Sequence, residues 1–303
     1  MDEAYTIPKA ALEAAGAECV TASVVKGTCY GMHGEIVEAD LAFSDVNADE
    51  FDGIVIGGGI GGMEAARVLK LRGHEPVIHE KSGELGGAFI AAGAESYKGK
   101  LRELLAWYKK QMADLSIEIH LNDEVKDVSE YAGRPVIIAT GSTARVLKNV
   151  PGHEKMVEAC EYLTGTEVGE TVAVIGGGLT GCEIAYELAL QGKKPIIVEM
   201  KDDLVSQKGV CLANSSYLRE WFALHEIPVY LETTLKEVQD GKILCAKGGE
   251  TIEIACDSVI SSAGYIANPL SKKAKDVYLV GDCKEIGNLR TVVWGAYEAA
   301  MKI

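Results

Sequence analysis

The 303-residue chain predicts an α/β fold in which one parallel-sheet unit is built twice. Three observations predict it. Residues 57–80 (GGGIGGMEAARVLKLRGHEPVIHE) and 176–199 (GGGLTGCEIAYELALQGKKPIIVE) match at 12 of 24 positions without a gap, at a constant offset of 119. Each copy follows an apolar run, Gly53-Ile54-Val55-Ile56 or Val172-Ala173-Val174-Ile175, and closes a second apolar run on a glutamate, Glu80 or Glu199. Short apolar strands and helix-patterned stretches then alternate along the chain, the pattern of a parallel sheet with helices on both faces.

Element by element, the first unit predicts a strand before Gly57, a helix after it and a strand ending at Glu80. Lys81-Ser82-Gly83-Glu84-Leu85-Gly86-Gly87 follows, then a helix over about residues 97–115. Ser116–His120 reads as a strand continued by Glu124-Val125, and Pro135–Ala139 as a buried strand running into Thr140-Gly141-Ser142. After a loop with Pro151-Gly152 the second unit starts near Gly169. It carries a helix around Ser215–His225, a strand at Pro228–Glu232 and a β-rich stretch through Ile254. Val259–Ser262 leads to Gly264-Tyr265, Val277–Val280 leads to Gly281-Asp282, and a helix over about Thr291–Lys302 closes the chain.

The repeated order of strand, glycine turn, helix, strand and acid is that of a Rossmann-like dinucleotide-binding unit. A pyrophosphate is held by free N–H groups and the dipole at a helix N-terminus, and a Cβ would obstruct its approach. Gly57 and Gly176 are therefore read as the tight turn, Gly59 and Gly178 as the opening for the pyrophosphate, and Gly62 and Gly181 as close helix–strand packing. Glu80 and Glu199 stand where a carboxylate can accept ribose hydroxyls. Two such units in one chain imply two bound dinucleotides.

Composition narrows the partners. Forty-five acids against 30 bases give a net charge of −15, which disfavours nucleic acid and anionic membranes. Met1 is followed by Asp2 and Glu3 rather than a basic and apolar leader, and no apolar run reaches spanning length, so a cytoplasmic protein is expected. The eight cysteines lie singly with no CxxC, which speaks against a redox dithiol and against cysteine-cluster ligation, and the six histidines show no metal-ligand spacing; no metal site is expected. Cys182 and Cys283 read as packing.

On the motifs Gly57–Gly62 with Glu80, Glu84-Leu85-Gly86-Gly87, Ala139-Thr140-Gly141, Gly176–Gly181 with Glu199, and Val280-Gly281-Asp282, residues 53–303 resemble the FAD- and NAD(P)-binding half of NADH:flavin oxidoreductases of the 2,4-dienoyl-CoA reductase and trimethylamine dehydrogenase type. More distantly they resemble the two-dinucleotide fold of glutathione reductase. The resemblance implies FAD on the first unit, contacted by Gly57, Gly59, Gly62, Glu80, Lys81, Gly86, Gly87, Thr140, Gly141, Gly281 and Asp282. Asp282 would meet the ribityl chain, the Val125 backbone the adenine, and the last helix would aim its N-terminus at the flavin. It implies NAD(H) on the second unit, at Gly176, Gly178, Gly181 and Glu199, and assigns Glu183, seven residues after Gly176, to positioning the nicotinamide. The repeat partner of Glu183 is Glu64, so the acid also fits general helix-start chemistry. Larger members carry an FMN-binding barrel and an iron–sulfur cluster, for which this sequence shows neither the length nor the cysteines.

Residues 2–57 resemble the opening of a ThiJ/PfpI-type domain on Tyr5-Thr6-Ile7-Pro8, Leu12–Cys19, Gly31–Gly34 and Ala39-Asp40 through Asp52-Gly53-Ile54-Val55. The expected first strand and cysteine elbow are missing, so the segment is read as a catalytically inert, partial flavodoxin-like α/β piece. The predicted organisation is residues 1–52 as that segment, 53–165 with 256–303 as a glutathione-reductase-like FAD domain, and 166–255 as an inserted NAD(H) domain. The predicted function is an FAD-dependent oxidoreductase taking hydride from NADH and passing electrons to a partner protein or small molecule. The alternatives are a non-catalytic electron-transfer or nucleotide-binding subunit, or a fusion without activity of its own.

Overall fold

In the computed structural model the chain forms two compact units, Met1–Phe51 and Asp52–Ile303. The structure describes residues 53–207, 209–272 and 274–303, and within the first 52 residues Ala14, 22–23, 27–30, 36–39 and 41–42. In the first unit β1 (Ala22–Ser23) lies beside an antiparallel hairpin of β2 (Gly27–Tyr30) and β3 (Ile36–Ala39) in sequence, and pairs in parallel with β4 (Leu41–Ala42). The expectations placed on Tyr5–Pro8, on Cys19 and on Gly31–Gly34 lie outside the described residues.

The second unit opens with β5 (Ile54–Ile56), three buried β-branched residues, followed by α1 (Ile60–Leu71) and β6 (Val77–Glu80). α1 ends where Gly73 adopts φ +93°, the left-handed position that closes a helix with least strain when the residue is glycine. Next come α2 (Ala88–Ala92), α3 (Gly99–Asp114), β7 (Glu118–Leu121) and β8 (Val136–Ile138). Glu124-Val125 does not continue β7: Asn122 takes φ +57°, and its N–H and that of Asp123 turn back to the carbonyls of Ser82 and Glu80 at 2.9 Å.

From β8 the chain leaves through β9 (Ser142–Ala144) and builds a second sheet from β10 (Val157–Glu158), α4 (Ala159–Leu163), β11 (Thr171–Ile175), α5 (Leu179–Leu190), β12 (Lys194–Val198), α6 (Leu212–Leu224) and β13 (Val229–Tyr230). An antiparallel sheet of β14 (Thr233–Gln239), β15 (Lys242–Lys247) and β16 (Glu250–Ala255) follows, then β17 (Ser258–Ser261) in the second parallel sheet. The chain returns through β18 (Tyr265–Ala267), antiparallel to β9, and completes the first sheet with β19 (Val277–Leu279) before α7 (Leu289–Ala300). The second sheet is thus inserted, in sequence, between β8 and β19, two adjacent strands of the first sheet.

The two sheets share one topology. Their orders are β19-β8-β5-β6-β7 and β10-β17-β11-β12-β13, every pairing parallel. The second sheet takes in two strands outside the 166–255 window: Val157–Glu158, a two-residue edge strand with no apolar run to read, and Ser258–Ser261, legible as a strand but assigned to this sheet only by its pairing with Val172–Ile175. Val55, Ile78 and Ile137 pack with Met63 and Leu69 of α1, Met112 of α3 and Ala296 of α7 on one face of the first sheet; Ile54, Ile56, Val136 and Ile138 face the other way. Each such fully buried side chain contributes roughly 1.5–3 kcal/mol. This two-sided burial is why the strands read as continuous apolar runs.

Candidate functional site

At each repeated turn the backbone dictates the glycines. Gly57 and Gly176 sit at φ +108° and +109°, and a Cβ on them would collide with the carbonyl oxygens of Ala139 and Ser262. A Cβ on Gly62 or Gly181 would collide with the carbonyl oxygen of Gly57 or Gly176. Gly59 and Gly178 are different. They are the N-cap residues of α1 and α5 in ordinary extended conformations, φ −72° and −71°. A Cβ on Gly59 would meet nothing nearer than the Gly86 oxygen at 3.9 Å, and one on Gly178 nothing nearer than Gln207 Oε1 at 3.5 Å. Among the described residues nothing requires glycine there, and an open helix N-terminus of this kind is suited to seat an anionic group.

The acids after the second strands fasten the turns. Glu80 Oε2 accepts from the Gly58 N–H at 2.6 Å, and Glu199 Oε2 from the Gly177 N–H at 2.6 Å. Glu80 Oε1 accepts from the N–H and hydroxyl of Ser82, both at 2.7 Å, and Glu199 Oε1 accepts from the Lys201 N–H at 2.8 Å. Both carboxylates are buried. A carboxylate offers about four lone-pair sites, so Glu199, with two donors, keeps more free capacity than Glu80, with three. The 119-residue offset also carries past the aligned text: Gly86 N–H donates to the Gly58 carbonyl at 2.9 Å, and Val205 N–H to the Gly177 carbonyl at 2.8 Å.

Around the first turn the structure gathers the other residues singled out for it. Gly59 and Gly86 form a β-bridge, and a Cβ on Gly87 would lie 3.5 Å from the Gly59 Cα. The Thr140 hydroxyl donates to the Asn268 carbonyl at 2.6 Å, and the Asn268 N–H to the Gly141 carbonyl at 3.1 Å. Gly281 (φ +65°) opens a 3₁₀ turn, and Asp282 Oδ1 accepts from the Gly287 N–H at 3.0 Å just before α7. The α7 start is fixed by a reciprocal cap between Asn288 and Thr291, and Val292 packs within 3.2 Å of where a Gly61 Cβ would stand, so the N-termini of α1 and α7 meet. Lys81 is exposed at the end of β6, and Val125 lies in the loop beyond β7, packed against the second face of the sheet.

Glu183 does not join the second turn's cluster. It faces Lys98 of the first domain, whose Nζ lies 2.8 Å from Glu183 Oε2 and 3.3 Å from Glu95 Oε1. The segment Glu95–Lys98 runs along α5: the N–H and hydroxyl of Ser96 donate to Glu187 Oε2 at 3.1 and 2.8 Å, and the Tyr97 ring meets Tyr186 edge-on at 5.2 Å. Arg102 pins the segment from α3 by donating to the carbonyls of Gly93 and Glu95 at 2.6 and 2.8 Å. The repeat partner Glu64 pairs instead with Arg67 of its own helix at 2.8 Å. The shared acid therefore has two uses, and the one at Glu183 bridges α5 to the segment before α3. Lys98 and Glu95 were not among the residues singled out from the sequence; a contact across 85 residues has no spacing by which to find it.

The thiols near these turns are poor nucleophiles. Burial pushes the Cys182 thiol up to about 12, and it donates to the Gly177 carbonyl at 3.3 Å. Burial raises Cys283 as well; it donates to the carbonyls of Ile138 and Val280 at 3.0 and 3.1 Å. Among the described residues no cluster of three or more His, Cys, Asp or Glu side chains is arranged to hold a metal, and no helix is long and apolar enough to cross a membrane.

Comparison with known proteins agrees with this geometry. The profile of the pyridine nucleotide-disulphide oxidoreductase family matches residues 51–301, and that of the DJ-1/PfpI family matches residues 1–74. A cinnamate reductase from Clostridium sporogenes is 36% identical over 266 residues, covering 82% of this chain and 39% of that protein. An NADH oxidase from Thermoanaerobacter brockii is 28% identical over 265 residues, covering 82% and 40%. A solved 2-naphthoyl-CoA reductase superposes with a TM-score of 0.74 at 26% identity, covering 83% of this chain and 39% of that one. The chain spans about two-fifths of the length of these curated relatives. FAD and a nicotinamide nucleotide are the cofactors of the matched family.

Proposed function

The chain belongs to the pyridine nucleotide-disulphide oxidoreductase family, and from that premise we propose that it is an FAD-dependent oxidoreductase that takes hydride from NADH and passes electrons to a partner protein or a small-molecule acceptor. The observation that carries the reading is the contrast among the glycines. Gly57, Gly62, Gly176 and Gly181 are required by the chain's own backbone, whereas Gly59 and Gly178 front open space at helix N-termini. The order of motifs along residues 53–303 supports the 2,4-dienoyl-CoA reductase and trimethylamine dehydrogenase type as its branch.

In this reading the first turn holds FAD. Gly57, Gly59 and Gly62 with the α1 N-terminus take the pyrophosphate, Glu80 and Lys81 border the adenosine, the Val125 backbone meets the adenine, and Gly86, Gly87, Thr140, Gly141, Gly281 and Asp282 line the path toward α7. The second turn holds NAD(H) on Gly176, Gly178, Gly181 and Glu199. Glu199 keeps lone pairs for ribose hydroxyls, and a 2′-phosphate there would put like charges together in a partly desolvated site. NADP sites supply an arginine at this place; here exposed Met200 and Lys201 follow. Bound FAD supplies the hydride chemistry. The Lys98–Glu183 pair would orient the nicotinamide ring, and the NAD(H) domain proposed at 166–255 would share its sheet with β10 and β17.

The visible spectrum of the purified protein tests the reading. Bound flavin should give its two characteristic absorption bands, and anaerobic NADH should bleach them. A colourless protein that binds no added FAD would overturn the proposal. A yellow protein that NADH does not bleach would leave a nucleotide-binding subunit without turnover.

A further inference from the structure

We propose that Glu95 is a positioning residue for the nicotinamide: by sharing Lys98 with Glu183 it leaves surplus negative charge at the domain junction, which favours the oxidised, cationic ring over the reduced, neutral one. The inference rests on the reading above that places NAD(H) on the second turn with its ring toward Glu183.

Glu95 is an unusual residue to bury. Its side chain is 1% exposed; one oxygen takes the Lys98 ammonium at 3.3 Å, and Oε2 has no hydrogen-bond partner among the described residues. A glutamine or an apolar side chain would fill the space with a smaller desolvation penalty. What glutamate adds is charge. Its neighbour Glu187 is already served by Ser96 and by Gln191, the latter at 3.1 Å, so it makes no demand on Lys98. Lys98 is left between two carboxylates, and the set of Glu95, Lys98 and Glu183 carries a net −1.

The reduced ring is neutral and the oxidised ring carries +1, while both nucleotides share the same pyrophosphate, so their affinity ratio isolates the ring. Glu95 and Glu183 both hold Lys98 Nζ, at 3.3 and 2.8 Å, so a ring in van der Waals contact with Glu183 would stand on the order of 10 Å from Glu95. At an effective dielectric of ~20, one unit charge over that distance changes an affinity by about tenfold, somewhat less after screening by salt. Burial, the largest influence on Glu95, pushes its carboxyl above the usual carboxylate range, with Lys98 opposing and Glu183 reinforcing. Other charged or titratable groups around it are Tyr97 and Arg102 from the segment and α3, Glu187 on α5, Glu167 and Lys193 lining the same cavity, and Tyr162 on α4, whose hydroxyl is held un-ionised by burial and then by Glu187 and Glu95. As pH falls through the Glu95 titration the surplus charge is lost, and the preference for the cationic ring should fall with it.

The test is calorimetric titration of the oxidised holoprotein with NAD⁺ and with 1,4,5,6-tetrahydro-NAD, a neutral-ring analogue that donates no hydride. Glu95→Gln should lower the NAD⁺-to-analogue affinity ratio about five- to tenfold with little change for the analogue, and Glu95→Asp should recover most of the ratio. The wild-type ratio should decline from pH 8 to pH 5, and the Glu95→Gln ratio should decline less. An unchanged ratio in Glu95→Gln, or the same pH dependence in both proteins, overturns the proposal. Glu183→Gln separates the two levels of inference. If it alters neither affinity, the ring is not at the junction and the underlying reading fails. If it lowers the ratio while Glu95→Gln does not, that reading stands and the role of Glu95 falls. Should Glu95→Gln not fold, a wild-type ratio that is flat from pH 8 to pH 5 overturns the proposal and a declining one supports it.

Discussion

Replacing Gly59 and Gly62 by alanine, one at a time, separates a glycine required by a ligand from one required by the chain. Gly59 is an N-cap residue at φ −72° and ψ −177°, conformations open to any residue, with 3.9 Å to the nearest protein atom a Cβ would meet. Alanine for glycine at an N-cap costs about 1 kcal/mol or less, which in a unit of this size lowers Tm by roughly 2–4 °C. Gly62 lies inside α1, where alanine would gain about 1 kcal/mol of helix propensity. Its Cβ would instead collide with the Gly57 carbonyl, a backbone atom that cannot move without opening the turn that Glu80 fastens. Overpacking of this kind costs about 1–3 kcal/mol, and lost turn hydrogen bonds add to it. Thermal melting of both flavin-free variants, paired with the flavin-to-protein absorbance ratio of the proteins as purified, reads the two effects. Gly59→Ala should melt within a few degrees of the flavin-free wild type yet retain less than about a tenth of its flavin; Gly62→Ala should lose stability with or without flavin. A Gly59→Ala protein that purifies with a full complement of flavin, or a Gly62→Ala protein as stable as wild type, would refute the division.

Three further outcomes are expected. Glu199→Ala should narrow the preference for NADH over NADPH in stopped-flow flavin reduction by about tenfold; a wild type that prefers NADPH, or a variant with unchanged selectivity, would contradict the role given to this carboxylate. Because burial raises the thiols of Cys182 and Cys283, iodoacetamide at pH 8 should label exposed Cys211 well before either, read peptide by peptide by mass spectrometry; early labelling of Cys182 or Cys283 would show that their burial is not maintained. Arg102→Ala should remove the guanidinium donor from the carbonyls of Gly93 and Glu95, the latter keeping only the Lys98 N–H, lowering stability by about 1–3 kcal/mol in urea unfolding and weakening the Lys98–Glu183 bridge; an unchanged unfolding midpoint would mean the segment is held without Arg102.

The parts of this molecule that were legible in the sequence are those where backbone geometry constrains a residue on its own. Gly57, Gly62, Gly176 and Gly181 leave a trace because no other residue fits, and Ile54–Ile56 and Val172–Ile175 read as strands because burial on both faces makes them apolar throughout. What was illegible depends on partners distant in the chain. Val157–Glu158 is a strand only because β17 lies beside it. α2 and α4, five residues each, are too short for a helical period to show. Lys98 and Glu95 acquire meaning only once α5 is laid against them. Glu80 and Glu199 were placed correctly at the strand ends, but their bonds to the N–H groups of Gly58 and Gly177 needed the folded turn to be visible.

The paired strands β9 and β18 have a consequence for how such a chain can be inherited. Where the inserted domain departs and returns, Ala144 stands directly opposite Tyr265, and Thr143 opposite Ile266. Opposed residues on antiparallel strands are close enough for a two-residue turn to join them. A gene that lost the codons between them would leave Ala144 and Tyr265 to serve as that turn, with Thr143 and Ile266 still opposed, whereas a segment gained there would also have to seat against Glu95–Lys98, as α5 does. The inserted segment is in this sense tethered to the first sheet by one pair of strands, and exchanging it for a relative's would be a splice at Ala144 and Tyr265 that keeps the residues meeting Glu95–Lys98.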